Sequence, residues 1–226
     1  IIKYLYKKAR LNDMKKRLMI IVILILVSIS FARAEITLEG PGYTAFNLGN
    51  MLSISANVRY ANSLNGRLET KLVCTHGNQD SYFVTPISLQ AGISKRVEVS
   101  ELVIQQGLNG DCNVIVELLN NARQSLERTQ SSKFLITDEL KIDGKLNRAS
   151  LNPGEKIELT GSVRNARGEK LRNGNLKLLL GGEFFTSLKE GSFGYEFTLA
   201  KDYKSGKHEV NAEITDEFGN KGETLY

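Results

Sequence analysis

The chain has 226 residues, with 30 Lys and Arg against 25 Asp and Glu, two Cys, three Pro and no Trp. Residues 1–34 hold eight of those cationic side chains and one of the anionic ones, leaving 22 against 24, net −2, from Glu35 onward. The pI near 9.1 therefore belongs to the leader, and it gives no support to a nucleic-acid or anionic-membrane partner, which needs a basic face on the folded part.

Residues 1–13 are basic and do not open on Met, so they read as upstream translated sequence or a fragment edge. Residues 14–34 begin Met-Lys-Lys-Arg, continue through an apolar run at 18–31, and end Ala32-Arg33-Ala34. A basic start, a short apolar stretch and an A-x-A ending make a secretory signal peptide, with cleavage expected after Ala34. The apolar run falls short of the roughly 20 residues of a membrane span; an uncleaved signal anchor is the alternative. Either reading exports the rest of the chain.

From residue 35 the sequence repeats itself. Gly49, Leu52, Ile54, Ala56, Val58, Arg59 and Ala61 recur as Gly154, Ile157, Leu159, Gly161, Val163, Arg164 and Ala166, at an offset of 105. Gly66, Leu68 and Leu72 then face Gly174, Leu176 and Leu180, and Gly110, Cys112, Val114, Val116 and Leu118 face Gly206, His208, Val210, Ala212 and Ile214. Three blocks kept in order at a period near 100 residues describe a duplicated small domain, too long for a solenoid unit. Each block alternates apolar and polar residues with period two, as in Ile157, Leu159 and Val163, which is the mark of strands with one buried and one wet face.

In chain order the predicted strands are 36–39, 51–60, 67–75, 80–88, 95–101, 112–119 and 126–136. The second copy gives 139–143, 156–164, 174–180, 183–187, 192–199, 207–214 and 221–226. Turn chemistry separates them at Leu64-Asn65-Gly66, Asn109-Gly110-Asp111, Asn152-Pro153-Gly154, Asn173-Gly174 and Phe218-Gly219-Asn220. Residues 100–107 are the one stretch allowed as a helical turn. Seven short strands in about 100 residues predict a two-sheet sandwich with Greek-key links, a closed barrel being the alternative.

Leu151-Asn-Pro-Gly, the alternating strand from Ile157 to Arg164, and the run from Gly206 through Asp216 to Asn220 resemble prokaryotic immunoglobulin-like repeats. The resemblance covers the second copy directly and the first through the internal repeat. It implies an all-β fold of two tandem immunoglobulin-like sandwiches, at 35–137 and 138–226, preceded by the signal helix. It also implies a place in a secreted or cell-surface protein. The chain departs from antibody-type domains in lacking a core Trp and in the close spacing of its cysteines. It stops inside the last strand of copy two, so the natural protein is expected to continue.

An even pair of cysteines in an exported chain reads first as a disulfide. In a sandwich of this kind Cys74 and Cys112 fall on neighbouring strands of one sheet; a redox switch or a metal pair is the functional alternative. Copy two places Gly182 and His208 near the equivalent positions. His76 and His208 sit in different copies without ligands at zinc spacing, and His208 is in an inward phase. There is no G-x-S-x-G, H-E-x-x-H or P-loop, and no cofactor is expected. One acidic group carries a sharper expectation. Asp138 and Glu139, with Asp143 beyond them, lie at the link, and Asp216 and Glu217 lie in the hairpin tip that should face it; together these carboxylates are a weak candidate for Ca²⁺. The link around Thr137 has almost no Gly, Ser or Pro, which predicts a stiff connection.

These features point to a non-catalytic exported protein whose repeats are structural, spacer or adhesive modules at the cell surface. The expected partner is a cell-surface or extracellular protein or glycan, and no nucleic acid. Membrane contact is expected through the signal segment or a downstream anchor alone. The alternative is a pair of accessory carbohydrate- or peptide-binding domains of an exported enzyme, with Tyr60, Tyr82 and Phe83 as the aromatic platform. A chaperone lending a strand edge to a partner is the third reading.

Overall fold

A computed structural model describes Met19 and residues 34–76 and 81–226. The expected signal helix lies outside the described residues. From Ala34 on the fold is all-β, in several sheets, and no helix occurs in 34–76 or 81–226.

The first half contains β1 (Glu35–Glu39), β2 (Ala45–Asn47), β3 (Met51–Arg59), β4 (Leu64–His76), β5 (Ser81–Leu89), β6 (Lys95–Val103), β7 (Asn109–Asn120), β8 (Ser125–Gln130) and β9 (Phe134–Thr137). One sheet runs β1-β3-β6 and the other β2-β9-β7-β4-β5, with β8 also paired to β7. The alternation seen in the sequence explains the layering. Leu52, Ile54, Ala56 and Val58 of β3 meet Leu68, Leu72, Val114, Val116 and Leu118 of β4 and β7 in one core. Fully burying a residue of this size contributes about 1.5–3 kcal/mol relative to exposure. Cys74 and Cys112 stand directly opposite each other on β4 and β7 and form a disulfide with a Cα–Cα distance of 4.0 Å.

The second half contains β10 (Lys141–Leu146), β11 (Lys156–Arg164), β12 (Asn175–Leu179), β13 (Glu183–Ser187), β14 (Ser192–Thr198), β15 (Asn211–Thr215) and β16 (Lys221–Leu225). Its sheets run β10-β11-β14 and β13-β12-β15-β16. They enclose a second core of Leu140, Ile157, Leu159, Val163, Leu176, Leu178, Phe193, Phe197, Ala212 and Ile214, among others. Phe184, Tyr195 and Phe197 stack beside it, with Phe184 and Phe197 edge to face at 5.2 Å. The strand order repeats that of the first half, with β3, β6, β4 and β7 answered by β11, β14, β12 and β15.

Four local expectations are corrected. Residues 126–136 are not one strand. Ser131 breaks them: its N–H donates to Val114 O at 2.8 Å, and its buried Oγ accepts from Val114 N at 3.0 Å. The chain bends there and re-enters as β9, which pairs parallel with β2, a strand too short to stand out in the sequence. Residues 100–107 form no helical turn, because Leu102 and Ile104 are buried with Val103 48 % exposed between them, a period of two. Leu64-Asn65-Gly66 and Asn109-Gly110 open β4 and β7 rather than turning, with Gly110 at φ 90°. His208 is exposed rather than inward; its ring packs edge-on to Tyr203 at 4.7 Å.

Candidate functional site: the junction between the two domains

The two cores meet across a short connection, residues 138–140, between β9 and β10. This link is hydrogen-bonded main chain. Lys221 N donates to Asp138 O at 2.6 Å, and Leu140 N donates to Lys221 O at 2.7 Å. Thr137 Oγ1 accepts from Glu139 N at 3.1 Å, and Leu140 buries its side chain in the second core. Asp138 thus takes part through its carbonyl, not its carboxylate.

The first domain presents the turn Asn47-Leu48-Gly49-Asn50, which follows β2. Asn47 N donates to Asn50 Oδ1 at 3.0 Å, and Asn50 N donates back to Asn47 O at 3.2 Å. That closes the turn and fixes the Asn47 side chain, which is 1 % exposed. Its Nδ2 donates to Thr137 O at 2.9 Å and to Glu139 O at 3.0 Å. Its Oδ1 accepts from Ala166 N of the second domain. One amide thereby ties the turn, the link and the loop after β11 together.

The second domain answers with the hairpin tip between β15 and β16. Asp216 Oδ1 accepts from Phe218 N and Asn220 N, each at 2.9 Å, and Asp216 Oδ2 accepts from Asn220 Nδ2 at 2.7 Å. An Asp bonding its own backbone a few residues on is a standard way to fix a turn. Asn220, also 1 % exposed, is so held that its Oδ1 accepts from Leu48 N at 3.0 Å and its Nδ2 donates to Leu48 O at 3.0 Å. Its amide pairs with the Leu48 peptide as a neighbouring strand would, which satisfies two buried main-chain groups.

Apolar and cationic contacts complete the face. The Phe218 ring lies where a Cβ on Gly49 would stand, and Gly49 has φ 80°; the position excludes any other residue on both counts. Gln106 Nε2 donates to Phe218 O at 2.9 Å. The Arg167 guanidinium sits 4.9 Å from the Tyr43 ring centroid across the junction and is ion-paired with Glu169 at 2.9 Å. A cation held over a ring in this way adds about 0.5–1 kcal/mol at an exposed site.

The carboxylates expected to converge on Ca²⁺ do not form such a site. Among the described residues no three His, Cys, Asp or Glu gather as a group that could hold a metal ion. Asp216 spends its oxygens on the hairpin's own amides, and the bridge between domains is Asn220. The histidines also stand apart, His76 exposed at the end of β4 and His208 in the second domain. Of the aromatic platform, Tyr60 packs against the first core while Phe83 is 43 % exposed on β5; Tyr82 falls outside the described side chains. Sequence reasoning missed Asn47 and Asn220, since each reads as turn chemistry.

No family model matches the chain, and no curated protein does. A solved structure described as the tetra-tandem repeat in the extending region of a large adhesion protein is similar at 12 % identity and a TM-score of 0.32, covering 86 % of this chain. The match takes in 48 % of that structure, so this chain spans about half its length. A likeness of that size bears on neither fold nor function.

Proposed function

We propose that the chain is a non-catalytic spacer or adhesive module of an exported protein, built from two immunoglobulin-like sandwiches held at a fixed angle. The observation that carries the reading is the junction. Asn47 and Asn220 are buried; Asn47 accepts through Oδ1 from Ala166 N of the other domain, and Asn220 bonds both main-chain groups of Leu48. Relative motion is the default for domains joined by a small polar interface; here buried, directed hydrogen bonds across the junction oppose it. The internal repeat supports it too, since duplicated sandwiches in series give length and reach. The leader at 14–34 and the Cys74–Cys112 bond favour an oxidising, extracytoplasmic setting. On this reading the partner is a cell-surface or extracellular protein or glycan, met by the modules' outer faces.

Residual dipolar couplings on residues 34–226 test the central point. One alignment tensor should fit both domains. An N47A/N220A pair should split it into two while each core keeps its own dispersion. Two tensors for the wild-type chain would end the rigid-spacer reading.

A further inference from the structure

Strands β5 and β13 hold the same place in the two domains. Each is the last strand of its larger sheet, β5 beside β4 and β13 beside β12. A strand in that place leaves a row of N–H and C=O groups unpaired, a template for another chain unless something blunts it. β5 is blunted. It contains Pro86, which has no N–H to offer, and Lys95 Nζ donates to Ser88 O at 3.4 Å. β13 reads Glu183-Phe184-Phe185-Thr186-Ser187 and has neither Pro nor Lys.

The direction of the β13 backbone follows from its two ends. Leu188 N donates to Gly174 O and Leu180 N donates to Gly182 O, both at 3.1 Å. Leu176 pairs with Thr186 and Leu178 with Phe184 in the same register. Bonded pairs alternate along an antiparallel ladder, so Phe184 and Thr186 aim their N–H and C=O at β12. Glu183, Phe185 and Ser187 aim theirs outward, where no further strand pairs with β13 among the described residues. Phe184 packs inward on Tyr195 and Phe197. Phe185 faces the other way and is 66 % exposed, more than any other large apolar side chain among the described residues. The core makes no use of it.

We propose that β13 is a self-association edge, through which two copies of the chain pair antiparallel with Phe185 opposite Phe185 of the second copy. The strand is self-complementary in this register. All of its outward residues are used, and each opposing pair exchanges both ladder bonds. The two exposed rings cover each other, and an aromatic pair stabilises a cross-strand seam. Charge fits as well. Glu183 faces Ser187 of the other copy, so no like charges stand opposite, and each Glu183 keeps its own ion pair with Lys177 at 2.7 Å. Sliding the copies until Glu183 meets Glu183 would put two carboxylates face to face and leave Phe185 opposite Gly181. A second copy therefore supplies both the free backbone and the apolar cover that this edge lacks. The inference stands on the ladder of the second domain and does not rest on the spacer reading.

The test follows the full chain by sedimentation and by residue-resolved amide hydrogen exchange, from micromolar to millimolar concentration. The mass should double. Protection of the Glu183, Phe185 and Ser187 amides should rise by about tenfold or more, while Phe184 and Thr186, already bonded to β12, change little. Phe185→Lys should abolish both effects with the Phe193 and Ile214 core signals still native. Ser187 is exposed and tests the register without touching the core. Ser187→Lys, set against Glu183 across the seam, should tighten the dimer by about threefold or more, and Ser187→Glu should loosen it by about as much. Four outcomes overturn the proposal. One is exchange at 183, 185 and 187 that stays the same up to millimolar chain, whatever the mass does. Another is protection that rises equally at all five residues of β13. A third is a Phe185→Lys chain with a native second core that still shows the alternating protection. The last is a dimer that both Ser187 variants shift in the same direction.

Discussion

The two domains repeat one strand order with different local devices. The first has β9 in place, a cross-strand disulfide and Leu72 wholly buried. The second has the same strand order, and His208 where the first has Cys112. The junction shows the second contrast. Asn47 is buried against the other domain, and Asn152, at the same point of the same turn, is exposed.

The largest expected difference is redox. The disulfide closes a separation of 38 residues, worth about 4 kcal/mol in the chain-entropy model. A C74S/C112S chain should lose about that much in its first calorimetric transition and nothing in its second. Equal losses in both would show that the halves unfold as one unit. Next come the matched leucines. Leu72→Ala should cost about 3 kcal/mol, and Leu180→Ala about 1 kcal/mol, because half its surface term is already absent. Urea unfolding followed by domain-specific NMR signals separates the two. Equal costs would mean that Leu180 is as well packed as Leu72.

Smaller still is the paired asparagine experiment. Asn47→Ala leaves half-buried Ala166 N without its acceptor and should cost about 1–2 kcal/mol. Asn152→Ala should stay within about 0.5 kcal/mol. Exchange of the Ala166 amide reports the first directly. The smallest effect is a pH one. Burial, chiefly, raises the Tyr226 phenol above its ordinary 10.0, where the first domain has Ser131. The folded state holds the proton longer than the unfolded chain does, so this contribution is intact below pH 10 and fades as pH climbs through the raised value. Tyr226→Phe should flatten the alkaline limb of second-domain stability; an unchanged limb would remove Tyr226 from the account.

Much of this was legible before the structure. Ile157, Leu159 and Val163 alternate because one face of β11 lies on the core, and the same spacing in β3 revealed the duplication. The Cys74–Cys112 pairing followed from two strands being neighbours in one sheet. What stayed hidden was short or distant. β2 has three residues and finds its partner about 90 positions later, so no local period betrays it. Ser131 interrupts a run with no apolar residue between Leu126 and Phe134, so no period marks the break. Asn47 and Asn220 resemble ordinary turn residues, and their role depends on which surface the turn meets. The carboxylates of Asp138 and Asp216 were legible as a cluster in sequence, but backbone amides reached Asp216 first.

The parallel pairing of β2 with β9 also sets how the first domain answers tension. The two strands lie side by side and point the same way, with the chain entering at one end of the pair and leaving at the other. A pull on the termini slides them lengthwise, so their ladder bonds are strained together rather than unzipped one at a time. Stretching a single molecule should therefore show the first domain yielding in one abrupt step.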